Sequence, residues 1–173
     1  MKGIRFPEDF RLERLQRRHR RSKFHCGKEE VDAWLATNAL QHQEKRLSVT
    51  RVLLDNEENI AGFYTLASGQ INFSDLPTEM ARHLPKRELP VTVLAWLGVS
   101  SAYQGCGLGG LLLAQALRDC YEAGKTFAFI AVILDCLDDS TKSFYEKWDF
   151  QELPSYPCRM ILSAKRLEAM MEE

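Results

Sequence analysis

The stretch Tyr103-Gln104-Gly105-Cys106-Gly107-Leu108-Gly109-Gly110 decides how the rest of the chain is read. Before it runs Val91-Thr92-Val93-Leu94-Ala95-Trp96-Leu97-Gly98-Val99, which reads as a buried strand. After it, Leu113, Ala116, Leu117 and Cys120 recur at i, i+3, i+4 and i+7, the apolar stripe of a helix. A strand, a glycine-rich turn and a helix start bring several free backbone N–H groups to one point, and the helix dipole adds positive potential there. Such a point suits a phosphate or pyrophosphate. The stretch lacks the Gly-Lys-Ser/Thr ending of a P-loop and the GxGxxG order of dinucleotide folds. Taken by itself it also fits a purely structural strand-to-helix turn.

Working outward, Phe10–Leu15 reads as a first strand, Arg17–Lys23 as a brief basic helix, and 28–44 as a longer helix with Val31, Trp34, Leu35 and Ala39 facing a core. Ser48–Asp55 and Ile60–Ala67 form a hairpin around the polar turn Asn56–Asn59, with Gly62 marking a bulge or a close approach. Residues 68–90, containing Gly69, Pro77, Pro85 and Pro90, read as the longest irregular region, with a short helix near 78–83. Phe127–Leu134 is a continuous apolar run, the mark of a strand buried on both faces. Asp138-Asp139-Ser140 caps a helix carrying Phe144, Tyr145 and Trp148. A strand pair, 150–153 and 159–162, follows, and the last ten residues form a short helix or a mobile tail.

The chain of 173 residues, 45% hydrophobic and 27% charged, has the composition of a soluble globular domain. No apolar run approaches the roughly 20 residues of a membrane span, no signal peptide is evident at the N-terminus, and the cytoplasm is the expected compartment. Cys26, Cys106, Cys120, Cys136 and Cys158 are odd in number and contain no CxxC pair, and the four histidines are scattered. Reduced thiols and no metal site are therefore expected. The net charge of −1 hides an asymmetry: residues 1–28 hold ten Lys/Arg against three Asp/Glu, +7, leaving −8 for the rest. The run Arg11, Arg14, Arg17, Arg18, Arg20, Arg21 and Lys23 fits either a polyanionic partner or a face paired with acidic residues of the same or another protein. A second basic cluster, Arg82, His83, Lys86 and Arg87, precedes the central strand.

Gln104-Gly105-Cys106-Gly107-Leu108-Gly109 after a buried strand, followed by Ser143-Phe144-Tyr145-Glu146-Lys147-Trp148-Asp149-Phe150, resembles the GNAT-type N-acetyltransferase superfamily. Phe24-His25-Cys26-Gly27, Val31-Asp32-Ala33-Trp34-Leu35, Gly62-Phe63-Tyr64-Thr65-Leu66, Leu89-Pro90 through Val99, and Asp138-Asp139 resemble more narrowly the tRNA-acetylating toxins of bacterial toxin–antitoxin modules. The resemblance implies an α/β fold of the α+β type: one domain over 1–173, with a cofactor-binding core at 89–150. Its mixed, mostly antiparallel sheet would have about six to seven strands, with helices on both faces. It implies acetyl-CoA as donor, the α-amino group of an aminoacyl-tRNA as acceptor and a ribbon-helix-helix antitoxin as partner, and it admits a homodimer. Trp96 stands where the pattern has arginine, Gly98 where it has alanine, Ser100 where it has aspartate, Asp149 where it has glycine, and Asp138 where many relatives have asparagine.

On this reading the loop from Gln104 through Gly105, Cys106, Gly107, Leu108 and Gly109 to Gly110 binds the pyrophosphate, and Asp138 also contacts the cofactor. The backbone of Leu97, Gly98 and Val99 pairs with the pantetheine arm and polarises the thioester carbonyl. Tyr145 is the catalytic residue, a phenol that stays protonated at neutral pH and can donate to the departing thiolate; otherwise it is one more aromatic of the core. Arg20, Arg21, Arg82, Lys86 and Arg87 hold the acceptor stem through its phosphates. No general base is evident. An α-amino group titrating near 7.7–8.0 needs one less than a lysine does. A housekeeping transferase acting on a small-molecule or protein amine, and a non-catalytic acyl-CoA-binding or interaction module, are the competing readings.

Overall fold

The computed structural model describes Met1 and residues 3–173. Its strands are β1 (Arg11–Arg14), β2 (Val49–Leu54), β3 (Ile60–Asn72), β4 (Glu88–Val99), β5 (Ala131–Asp135), β6 (Gln151–Leu153) and β7 (Tyr156–Ser163). They form one seven-stranded sheet in the order β1-β2-β3-β4-β5-β7-β6. β1–β2, β2–β3, β5–β7 and β6–β7 pair antiparallel, whereas β4 and β5 pair in parallel at Thr92↔Val132 and Val93↔Ile133. The helices are α1 (Glu29–Ala33), α2 (Ala39–Glu44), α3 (Thr78–Ala81), α4 (Leu108–Gly124), α5 (Asp139–Glu146) and α6 (Ala164–Glu172). The chain divides into two compact units, one holding Gly3–Ala67 and Leu94–Leu117, the other Met1, Ser68–Val93 and Arg118–Glu173.

In the first unit, alternation along β3 sorts side chains to opposite faces. Phe63 enters a core with Phe24, Val31, Leu35, Val52 and Leu54 on the side of α1 and α2. Gly62 turns the other way, where a Cβ would meet Leu112 Cδ1 of α4 at 2.5 Å and Gly98 O at 3.0 Å. The β2–β3 register slips between Leu53↔Gly62 and Leu54↔Ile60, so Gly62 marks both a bulge and a close approach. Leu35 and Phe63 are fully buried, and truncating either to Ala would cost about 2–5 kcal/mol through the cavity left behind. The helix read over 28–44 forms as α1 and α2 joined through a π-helical turn, Trp34–Asn38.

The second unit has its own core, in which Ile71, Leu89, Val91, Ala131, Ile133, Leu153 and Ile161 pack together. The C-terminal segment forms α6, capped by Ser163 Oγ, which accepts from Arg166 N at 3.1 Å; Leu167, Met170 and Met171 are buried beneath it. The Met1 ammonium donates to the carbonyls of Met170 (2.8 Å) and Met171 (3.2 Å), a cation at the negative end of a helix.

Three local expectations are corrected. Arg17–Lys23 makes only a 3-10 turn at Arg21–Lys23, because a run of like charges has no apolar stripe to bury. The apolar run Phe127–Leu134 becomes a strand only from Ala131: the chain first turns past α4, with Phe127 N and Thr126 N both donating to Ala123 O, and leaves Phe127 78% exposed. The irregular region contracts to 73–87, because β3 continues to Asn72 and β4 begins at Glu88. Pro90 is tolerated in β4, where its carbonyl accepts from Ile130 N at 2.9 Å.

Candidate active site

The strand-to-helix loop is fixed at its start. Ser100 N donates to Ala61 O at 2.8 Å, and Ser100 caps the 3-10 turn Ser101–Tyr103. Tyr103 Oη donates at 2.7 Å to Asp55 Oδ2, and the other oxygen of Asp55 accepts from the N–H groups of Glu57 and Asn59. Burial alone would raise the Asp55 pKa, but these donors outweigh it and hold the carboxyl below the usual range. In return, Asp55 pushes the Tyr103 phenol up to about 12. Gln104 Nε2 donates to Cys26 O (2.6 Å) and Val99 O (2.9 Å), tying the loop to the end of β4 and to the Phe24–Gly27 segment. The same segment is held by Ser101, whose N and Oγ both donate to His25 O. The side chain of Gln104 is thus structural.

Beyond these ties the backbone is open. Gly105 and Gly107 sit at φ +82° and +83°, where an L side chain is strained, and a Cβ at either would meet nothing within 4 Å. Gly107 O accepts the first helical bond, from Leu111 N. The backbone bonds outside the helices include none donated by the N–H groups of Gly105, Cys106, Gly107, Leu108, Gly109 or Gly110 among the described residues. Gln104 through Gly107 are exposed, Leu108 is buried as the anchor of α4, and Gly109 and Gly110 are half-buried. Exposed N–H donors at the start of a 17-residue helix, with empty space where β-carbons would stand, fit a pyrophosphate.

Upstream, Leu97 and Val99 are half-buried and Gly98 is buried. Gly98 is required by packing rather than by a special φ: a Cβ there would stand 2.9 Å from Val31 Cγ1 and 3.1 Å from Phe63 Cε1. Trp96 stacks on Trp34, ring centroids 5.2 Å apart.

In the other unit, Tyr145 lies in the last turn of α5 and is 6% exposed. Its ring is held between Phe144 (5.1 Å) and Phe150 (5.7 Å), both edge-on. The turn that ends α5 carries the crossed bonds of a Schellman motif, Phe150 N to Tyr145 O and Asp149 N to Glu146 O. The residue between them must be left-handed, and Asp149 adopts φ +67°, so it takes the conformation glycine would take; its carboxylate pairs with Arg166 at 2.7 Å. Among the described residues the Tyr145 hydroxyl makes no hydrogen bond. Burial, and secondarily the nearby Cys136 thiol, push its pKa above the ordinary value. Asp138 is the N-cap of α5, its Oδ1 accepting from Thr141 N, Thr141 Oγ1 and Ser140 Oγ at 2.7–2.8 Å.

The basic residues divide sharply. Arg11 and Arg18 pair with Glu13 and Glu58, Arg17 pairs with Glu44, and Arg20 donates to Glu57 O at 2.8 Å. Arg21 keeps a buried Nε without a partner. Arg82, Lys86 and Arg87 are exposed and make no ion pair among the described residues. All five cysteines are free, and no cluster of three or more His, Cys, Asp or Glu able to hold a metal occurs among the described residues. Sequence reasoning missed the Asp55–Tyr103 brace, the side-chain role of Gln104 and the Asp149–Arg166 pair. A partner 48 residues away leaves no local signature, whereas the Gln104 amide beside a glycine turn was a usable clue.

A mostly antiparallel sheet with one parallel step, and a glycine-rich loop opening α4, are the arrangement expected of an acyltransferase of the class the sequence resembles. Residues 48–152 match the acetyltransferase (GNAT) domain, and the chain belongs to that family. It is 31% identical over 150 residues to the tRNA-acetylating toxin of Mycobacterium tuberculosis, covering 87% of this chain and 89% of that protein. It is 30% identical over 163 residues to a probable toxin TacT of Sinorhizobium fredii, covering 89% and 90%. The fold is also that of AtaT complexed with acetyl-methionyl-tRNAfMet, with TM-score 0.86, 21% identity, and 94% and 99% of the two chains covered. A tyrosine-to-phenylalanine mutant of KacT aligns with TM-score 0.87 at 20% identity, covering 94% and 99%.

Proposed function

We propose that this acetyltransferase modifies the α-amino group of aminoacyl-tRNA, blocking translation as a toxin that an antitoxin restrains. The observation that carries the acceptor is the 31% identity to a tRNA-acetylating toxin across 87% of the chain. The amide-lined loop and the unbonded Tyr145 hydroxyl support the chemistry. On this reading residues 1–173 act as one domain with its cofactor-binding core at 89–150, and the enzyme works in the cytoplasm, where charged tRNA is found. No helix among the described residues is long and apolar enough to cross a membrane.

Acetyl-CoA supplies the acetyl group as a thioester. The N–H groups of Gly105 to Gly110 bind the pyrophosphate, aided by the dipole of α4. The backbone of Leu97, Gly98 and Val99 would hold the pantetheine arm, and one of its N–H groups would polarise the thioester carbonyl. Asp138 holds the start of α5 and contacts the cofactor from there. As the amine nitrogen bonds to the acetyl carbon and the carbon–sulfur bond breaks, Tyr145 Oη would give its proton to the departing sulfur, and the proton lost by the amine, through solvent, would restore the phenol. Arg20, Arg21, Arg82, Lys86 and Arg87 contact RNA phosphates without reading sequence.

The test is to incubate the protein with labelled acetyl-CoA and total aminoacylated tRNA, beside free amino acids and polyamines. Label in RNA, released by alkaline ester hydrolysis as N-acetyl amino acid, is the expected result. Equal labelling of the free amines would give the function to a small-amine transferase instead.

A further inference from the structure

Trp34 and Trp96, in the unit that carries the glycine loop, have no part in the proposed acetyl transfer. Their rings lie face to face, centroids 5.2 Å apart and planes within 11°. Both are half-buried, packed against the core but not closed over by it. An indole is a large apolar group that a core ordinarily covers, and here two stand partly open side by side. Trp34 is rigidly held. Its Nε1 donates to Thr65 Oγ1 at 3.3 Å, Thr65 shares a 2.7 Å bond with Thr50, and His42 stands edge-on at 4.6 Å. Trp34 also opens the π-helical turn Trp34–Asn38, a distortion that weakens the helical ladder and is found disproportionately at functional sites.

The strand supplies the second coordinate. Trp96 and Gly98 are two residues apart in β4, so they face the same side of the sheet. Gly98 faces Val31, and Trp96 faces Trp34 three residues further along the same helical segment. The stack therefore begins one strand repeat, about 6.6 Å, from Gly98. Leu97, Gly98 and Val99 are where the proposed chemistry brings the acetyl group. The two indoles contact a hydroxyl, an imidazole and each other.

We propose that the Trp34–Trp96 stack is the acceptor subsite, and that it selects aminoacyl groups with large apolar side chains, aromatic ones above all. This rests on the acceptor being an aminoacyl-tRNA. The partly exposed indole pair offers apolar surface near the reacting carbonyl, which rewards a wide apolar side chain and does nothing for glycine.

The test compares kcat/KM on phenylalanyl-, leucyl-, glycyl- and lysyl-tRNA for the wild type, Trp96→Ala and Trp96→Phe. The wild type should favour the phenylalanyl and leucyl substrates. Trp96→Ala should lose about 10-fold or more on those two while changing glycyl-tRNA by no more than about twofold, and Trp96→Phe should keep most of the preference. A second measurement reads binding without turnover. Tryptophan fluorescence of the wild type should report tighter binding of 3′-phenylalanylamido-adenosine than of its glycyl counterpart, and equal affinities would overturn the proposal. A wild type that acetylates no charged tRNA sinks the acceptor reading, and this subsite with it. A wild type that is active, with a loss in Trp96→Ala spread evenly over all four substrates, as a platform for the shared terminal adenosine would give, sinks the subsite alone.

Discussion

Two tyrosines with opposite duties show how burial and partners divide labour at the scale of single residues. Tyr103 is committed: its hydroxyl serves the buried Asp55, and the pair braces the loop start. Replacing Tyr103 with Phe removes a hydrogen bond to a charged group and should cost about 1.5–3 kcal/mol, read by denaturant unfolding. The pH dependence has a definite sign. Asp55 is held below its unfolded pKa of about 3.9, so its contribution is full above that value and is lost as pH falls through the lower folded pKa. Tyr103→Phe should therefore lose its stability deficit progressively below about pH 4. Tyr145 is uncommitted, its ring clamped and its hydroxyl unbonded. Tyr145→Phe preserves that packing, so coenzyme A affinity by calorimetry should be unchanged while kcat falls about 100-fold or more. Because burial raises the Tyr145 pKa, the phenol stays protonated well into the alkaline range. The rate should rise as the α-amino group deprotonates, below the model-peptide range of about 7.7–8.0 because the adjacent ester lowers it, and show no alkaline fall through pH ~9. A descending limb near pH 8 would assign the proton to another group.

The Schellman turn after α5 converts a sequence irregularity into a testable element. Asp149 occupies a left-handed position at a cost of about 1–2 kcal/mol, partly offset by an exposed ion pair to Arg166. Asp149→Gly should change the melting temperature little, whereas Asp149→Val places a β-branched residue where it fits worst. The valine variant should lower both the melting temperature and kcat, since Phe150 and Tyr145 are seated by the same turn. The glycine loop makes the contrasting case. Gly107→Ala meets no atom within 4 Å, so its stability cost is the strain alone, about 1–2 kcal/mol. Its effect on coenzyme A affinity should be larger, about 10-fold or more, because the new methyl projects into the open space beside the loop. Elements with local causes were legible in the sequence: the strand before the loop, the Gly124 helix stop, the Asp138 cap and the Gly62 anomaly. What escaped was set by a competing local turn in one case and by distant partners in the other. Phe127 to Phe129 looked like strand, yet the continuing turn after α4 took that backbone first, and the requirement for Gly98 lies in Val31 and Phe63. Of the candidate site, the loop and Tyr145 were visible as motifs, while the braces that aim them were not.

On the scale of the whole molecule the distribution of charge, rather than its total, bears on the partner. Part of the N-terminal excess of +7 is answered by the protein's own carboxylates, for Glu44 and Glu58, with Glu13 of the same segment, engage Arg11, Arg17 and Arg18. An ion-paired arginine must give up its carboxylate before it can serve a phosphate, so Arg11, Arg17 and Arg18 are less well placed to contribute affinity. The smaller cluster, Arg82, Lys86 and Arg87, is exposed and pairs with no carboxylate among the described residues, so its full charge is available. If the acceptor is an RNA, this cluster should dominate its salt dependence. Changing Arg82, Lys86 and Arg87 together to Glu should abolish most acetylation of charged tRNA, and the slope of log kcat/KM against log salt should become shallower by about 0.9 for each phosphate that is no longer neutralised. Changing Arg17 and Arg18 to Glu should flatten the slope much less. The same triple variant should acetylate a 3′-aminoacylamido-adenosine, which carries the amine without the stem phosphates, at a rate close to wild type. Equal losses on both acceptors would mean that the cluster serves the fold or the cofactor and not the RNA.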